Sequence, residues 1–90
     1  MRLSVNFQGR VQGVGFRATA RDVVLRQPTA LTGWVRNEPD GSVLMELQGE
    51  PAAVEATLTE LQSVMARNIR AIHRSEMNDL SGEQFFRIAH

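Results

Sequence analysis

The sequence predicts one α+β domain in which an antiparallel or mixed sheet carries two helices on one face. Three observations lead there. Leu3, Val5 and Phe7 alternate with Ser4, Asn6 and Gln8, the period of two that marks a strand with one buried face. Two later stretches repeat their apolar residues at helical spacing. Turn-forming residues separate the segments, and no linker, repeat or low-complexity tract interrupts them. At 90 residues the chain has room for one core and one shallow site.

The first strand ends at Gly9. After a Gly-rich stretch, Phe16, Ala20, Val23 and Val24 fall on one side of a helix that Pro28 is expected to stop. Leu31 to Asn37 and Ser42 to Gln48 read as the second and third strands, separated by Glu38-Pro39-Asp40-Gly41. Pro second and Gly last suit a type I turn. Pro51 fits the first position of a second helix, whose buried face is Val54, Leu58, Leu61 and Met65. Ile69 to Met77 is expected as a fourth strand with poor alternation, and Gln84 to Ile88 as a short fifth, after the turn-like Asp79-Leu80-Ser81-Gly82. The order strand, helix, strand, strand, helix, strand is that of a ferredoxin-like sandwich, here spanning residues 1–90 as a single βαββαβ domain plus a C-terminal strand.

Composition narrows the chemistry. With no Cys, a thiolate zinc site, a Cys nucleophile and a disulfide framework are excluded, and a reducing compartment is permitted. The N-terminal residues give no apolar run for a signal peptide or membrane span. The expectation is a soluble, unprocessed, cytoplasmic monomer with no membrane or nucleic-acid partner. All ten cations are Arg and the net charge is zero, yet Met1 to Asn37 holds six Arg against one acid, and Glu38 onward four Arg against nine acids. A basic first half with a neutral whole suits a small anion held at one place, where a nucleic-acid surface needs a broad basic stripe.

Gly9-Arg10-Val11-Gln12-Gly13-Val14-Gly15-Phe16-Arg17 joins the first strand to the first helix. Its glycines let successive N–H groups of the stretch point into one concavity. At a helix N-terminus, such a nest favours an anion through both free N–H groups and the helix dipole. Arg17, in the first turn, leans back over it and can grip two oxygens of a phosphate. By residue type alone, the loop also reads as a tight connection and Arg17 as a solvent-facing helix residue; neither GxxxxGK[ST] nor GxGxxG is present.

Asn37, beside the predicted turn, can accept from and donate to a water molecule while staying neutral. The alternative for an Asn in that place is a bond to its own backbone. Trp34 alternates away from Leu31, Gly33 and Val35 and reads as packing or partial cover. Met45, Met65 and Met77 read as core filler. His73 and His90 show no nucleophile signature and are set aside as bystanders. The acids form no two-metal ligand set, so no metal is expected.

GRVQGVGFR (Gly9 to Arg17) and GWVRNEPDGSVLMELQG (Gly33 to Gly49) closely resemble the two signatures of the acylphosphatase family. The resemblance implies a ferredoxin-like fold and hydrolysis of carboxyl-phosphate anhydrides by water attacking phosphorus, with no metal or cofactor. It implies that Arg17 holds the phosphate, that the backbone of Gln12 to Arg17 completes the cradle, and that Asn37 orients the water. Ala18 stands where many members carry an aromatic residue, and the stretch from Arg17 to Gly33 is slightly longer than usual. The same signatures open a large hydrogenase-maturation carbamoyltransferase, where they precede Cys-rich zinc modules. Two other readings remain for a chain of this fold: an anion-sensing module without turnover, and a binder of single-stranded RNA. The second wants exposed aromatics on the central strands and a basic surface.

Overall fold

A computed structural model describes the whole chain, Met1–His90, as β1 (Arg2–Gly9), α1 (Phe16–Leu25), β2 (Thr32–Asn37), β3 (Val43–Gln48), α2 (Pro51–Val64), β4 (Ile69–Met77) and β5 (Phe86–Ile88). The five strands form one mixed sheet in the order β4-β1-β3-β2-β5. Every pairing is antiparallel except that of β2 with β5.

The period of two in β1 has its physical counterpart in one buried sheet face. Leu3, Val5 and Phe7 lie opposite Leu47, Met45 and Val43 of β3, and all six are buried. Both helices cover this face. Phe16, Ala20 and Val24 of α1, with Val54, Leu58 and Leu61 of α2, join the same core. Phe16 packs on Phe7 with ring centroids 4.9 Å apart and planes tilted by 54°. Burying a side chain of that size stabilises the fold by roughly 1.5–3 kcal/mol. It also pins the first residue of α1 to the upper part of β1, so the six residues between them must fold into a compact loop.

Several boundaries and placements differ from the sequence expectation. Helix α1 ends at Leu25, with Arg26 as its C-cap, short of Pro28. The residue preceding a proline is pushed out of helical geometry, so the break falls upstream of the ring. Strand β5 has three residues instead of five. Met45 and Met65 are core residues, but Met77 is 40% exposed. It closes the edge strand opposite Arg2, on the sheet face without helices.

The connection from β4 to β5 crosses the sheet end that carries Arg2. Arg2 is buried at 2% exposure, which its charge tolerates because Nη1 donates to Glu83 at 2.8 Å and to Gln48 at 3.0 Å, and Nε to Glu46 at 2.9 Å. Gln48 and Leu80 exchange two further hydrogen bonds. These ties deliver Phe86 to the edge of β2. Parallel pairing of Val35 with Ile88 then carries the chain to the opposite end of the sheet, where the loop after β1, the N-terminus of α1 and the end of β2 meet.

Candidate active site

The meeting point is a cleft of about 280 Å³, lined by Gly13, Gly15, Phe16, Arg17, Asn37 and His90, with Val11, Ala18 and Ile88 completing its walls. A larger groove of about 480 Å³ lies beside Leu25, Pro28 and Phe85. Its walls come from the α1–β2 connection and the start of β5, away from the loop that precedes α1.

The loop is built to leave amides free. Gly13 and Gly15 have φ of +74° and +79°, left-handed values that cost other residues about 1–2 kcal/mol. No backbone carbonyl accepts from the N–H groups of Gln12, Gly13, Val14 or Gly15, and the first internal bond of α1 is from Thr19 N–H to Gly15 O. The helix begins at Gly15 with no side-chain cap and no acid in its first turn. The positive end of its dipole therefore stays unneutralised. Buried unpaired amides would be costly; Gly13 and Gly15 are exposed and line the open cleft, where an oxyanion can accept from free N–H groups.

The other end of the loop is anchored. Arg10 N–H donates to Asn68 O at 2.9 Å, and Asn68 Nδ2 donates back to Arg10 O at 3.0 Å. The side chain of Gln12 leaves the cleft and reaches the β2–β3 turn, where Nε2 donates to Glu38 O at 2.8 Å and to Ser42 O at 2.9 Å. Val14 packs on the core. Of the predicted cradle, Gly13, Gly15 and Phe16 line the cleft directly, while Gln12 and Val14 hold the loop in shape.

Arg17 lines the cleft from the first turn of α1 and is half-buried. Its guanidinium meets no carboxylate; its side-chain hydrogen bond is from Nη1 to His90 Nδ1 at 3.4 Å. Arg36, by contrast, pairs with Glu38 at 3.1 Å and lies over the Trp34 ring at 4.7 Å. Trp34 thus serves as partial cover on the helix-free face, away from the cleft.

Asn37, the last residue of β2, lines the same cleft as Arg17. The turn beyond it does not need its carboxamide. Gly41 N–H donates to Glu38 O at 3.1 Å, and Asp40 Oδ1 accepts from Ser42 N at 2.9 Å and from Ser42 Oγ at 2.6 Å. The hydroxyl of Ser42, acting first, and its amide hold the Asp40 carboxyl below the usual carboxylate range. With Asp40 and Gln12 organising the turn, Asn37 makes no side-chain hydrogen bond within the protein and is available to a water molecule.

Sequence reasoning set His90 aside, and the fold brings it into the cleft. Ala89 N–H donates to Val35 O at 2.8 Å, extending the β2–β5 ladder one residue past Ile88. Phe86, Ile88 and His90 alternate, but over so short a run the pattern does not declare a strand. No group of three or more His, Cys, Asp or Glu side chains is arranged to hold a metal ion.

A protein-family model matches residues 3–88, and the family is acylphosphatase. The chain belongs to the acylphosphatase family. A relative from Geobacillus kaustophilus, named acylphosphatase, is 39% identical over 88 residues, covering 97% of this chain and 92% of its own length. Another of that name, from Oceanobacillus iheyensis, is 50% identical over 60 residues, 67% of this chain and 64% of the relative. The crystal structure of acylphosphatase from Bacillus subtilis superposes with a TM-score of 0.85 at 26% identity, covering 99% of this chain and 98% of that one.

Proposed function

We propose that the chain hydrolyses acyl phosphates to a carboxylate and inorganic phosphate at the cleft between the Gly9–Arg17 loop and Asn37, acting as a single domain with no metal or cofactor. Family membership supports the activity. The observation that carries the site is the set of undonated loop amides beside a guanidinium without a carboxylate partner.

The phosphoryl group sits on the amides of the loop and the first turn of α1, with Arg17 gripping its oxygens. Charge that develops on those oxygens as phosphorus is attacked meets fixed donors that need no reorganisation. Asn37 places the water: its carboxamide oxygen accepts a hydrogen bond from the nucleophile, so that a lone pair of the water oxygen points at phosphorus. The water oxygen bonds to phosphorus, the bond to the acyl oxygen breaks with its electron pair, and the proton passes to a phosphate oxygen.

The leaving carboxylate has a conjugate acid of pKa about 4 to 4.5, so it departs at neutral pH without a general acid. A phosphate monoester expels a far more basic alkoxide and needs a proton donor, which the walls of this cleft do not supply beyond His90. Against the RNA-binding alternative, the open faces of β1 and β3 carry Ser4, Asn6, Leu44 and Glu46, and Trp34 on the open face of β2 lies under the Arg36 guanidinium.

The test is a steady-state assay on an aromatic acyl phosphate beside a phosphate monoester, in excess chelator. Turnover of the first alone is expected. Phosphate binding without turnover of any acyl phosphate would favour the anion-sensing reading, and a chelator-induced loss restored by a divalent ion would contradict metal independence.

A further inference from the structure

The cleft and the larger groove lie on one seam of the molecule, where α1 packs against β5. They share no lining residue, yet the same two elements wall both. Ala18 of α1 and Ile88 of β5 line the cleft. Further along the helix, Arg21, Val24 and Leu25 line the groove of about 480 Å³ together with Phe85 and Phe86. From Ala18 to Leu25 the helix rises about 10 Å. Arg21 and Leu25 follow Ala18 at spacings that keep them on one side of the helix. Helical side chains lean toward the N-terminus, which here is the cleft end.

The walls of the cleft set the direction in which an acyl group can leave the cradle. Val11 and Phe16 are buried, so the carbon surface open to a ligand comes from Ala18, which is exposed, and Ile88, which is half-buried. Both stand on the seam. At its other end Val24 and Phe86 are buried, whereas Leu25 and Phe85 are 63% and 72% exposed. Scattered apolar side chains at a surface need no explanation. Two that flank a groove of small-molecule size, one seam away from a phosphate cradle, make a ligand wall.

We propose that the groove is the acyl subsite of the cleft. The acyl tail of the substrate passes Ala18 and Ile88 and lies between Leu25 and Phe85, so extended aliphatic acyl phosphates are selected over short ones. This rests on the reading of the cleft as an acyl phosphate site and names the substrate class it takes. The occupant follows from the continuity of the seam, because a group in the groove that is tethered to a phosphoryl group in the cleft must span about 10 Å. Arg21 is compatible with an apolar tail: its aliphatic stem can lie along the tail while the exposed guanidinium stays in water.

The test compares kcat/KM for octanoyl phosphate and acetyl phosphate, each below its aggregation concentration. Full burial of one methylene strengthens binding about fourfold. In an open groove the wild type is expected to prefer octanoyl phosphate by about tenfold or more. Leu25→Ser combined with Phe85→Ser is expected to cut that ratio about fivefold or more, chiefly through KM, since the lost contact forms before the chemical step. Both side chains are exposed, so the fold tolerates the change. Val64→Ser, an apolar residue 56% exposed at the end of α2 and outside both cavities, should keep the wild-type ratio. A wild type without the preference, or a double variant that keeps it, overturns the proposal. A dimer that the double variant dissolves while the ratio stays unchanged also overturns it and assigns the groove to a second copy. Failure to turn over either substrate would instead strike the reading of the cleft itself.

Discussion

Gln12 ties the anion loop to the strand end that carries Asn37, its Nε2 donating to the main-chain oxygen of Glu38 at 2.8 Å. A second bond to Ser42 O at 2.9 Å makes the link bidentate across the β2–β3 turn. The spacing between the proposed phosphate cradle and the carboxamide proposed to place the water is thus tied by one side chain that enters neither role. Gln12→Ala removes both bonds, at a cost of about 1–3 kcal/mol of stability. Because small misplacements of reacting groups are expensive, kcat is expected to fall about tenfold while phosphate still inhibits. Steady-state kinetics beside a denaturant titration checks this, and unchanged turnover would show that the tie is dispensable.

Gly15 both caps α1 and lines the cleft, with φ at +79° and nothing within 4 Å of where a Cβ would stand. Gly15→Ala therefore meets no clash, and its whole penalty is backbone strain of about 1–2 kcal/mol. A lower urea midpoint with unchanged slope, together with weaker phosphate inhibition, is the expected outcome. A midpoint equal to the wild type would mean that the loop relaxes freely into another conformation.

At the far end of the sheet, the hydrogen bond from Arg2 holds the Glu83 carboxyl below its ordinary range, against the opposing effect of burial and with help from Thr32. A carboxyl depressed in the folded state contributes stability that is fully present above its unfolded value, about pH 4.3. That contribution is lost as pH falls through the folded value. Glu83→Gln is expected to be about 1–3 kcal/mol less stable at pH 7 and to lose less stability on acidification. Denaturant melts between pH 7 and pH 3 decide it; parallel acid profiles for the two proteins would contradict the assigned coupling.

Much of this architecture was legible because it rests on local periodicity. The alternation of Leu3, Val5 and Phe7 and the helical spacings of Phe16 to Val24 and Val54 to Met65 all became buried faces. Glu38 to Gly41 became a hydrogen-bonded turn. The third wall of the cleft was not legible. Strand β5 is three residues long, too short to declare a period. Its place beside β2 is set by Arg2 and Glu83, 81 positions apart in sequence, a contact no local pattern encodes. Ile88 and His90 reach the cleft only through that placement. The freedom of Asn37 was equally hidden, since it depends on Asp40 and Gln12 taking over the turn.

Arg17 and Asn37 are proposed to divide the labour, Arg17 holding the phosphoryl group and Asn37 placing the water. The most direct measurement is turnover of an aromatic acyl phosphate together with inhibition by inorganic phosphate, for Arg17→Ala and Asn37→Ala. Arg17→Ala is expected to lose both, while Asn37→Ala is expected to lose turnover by about two orders of magnitude or more and to keep phosphate inhibition near the wild-type level. Near-normal turnover in Asn37→Ala, or undiminished phosphate inhibition in Arg17→Ala, would contradict it.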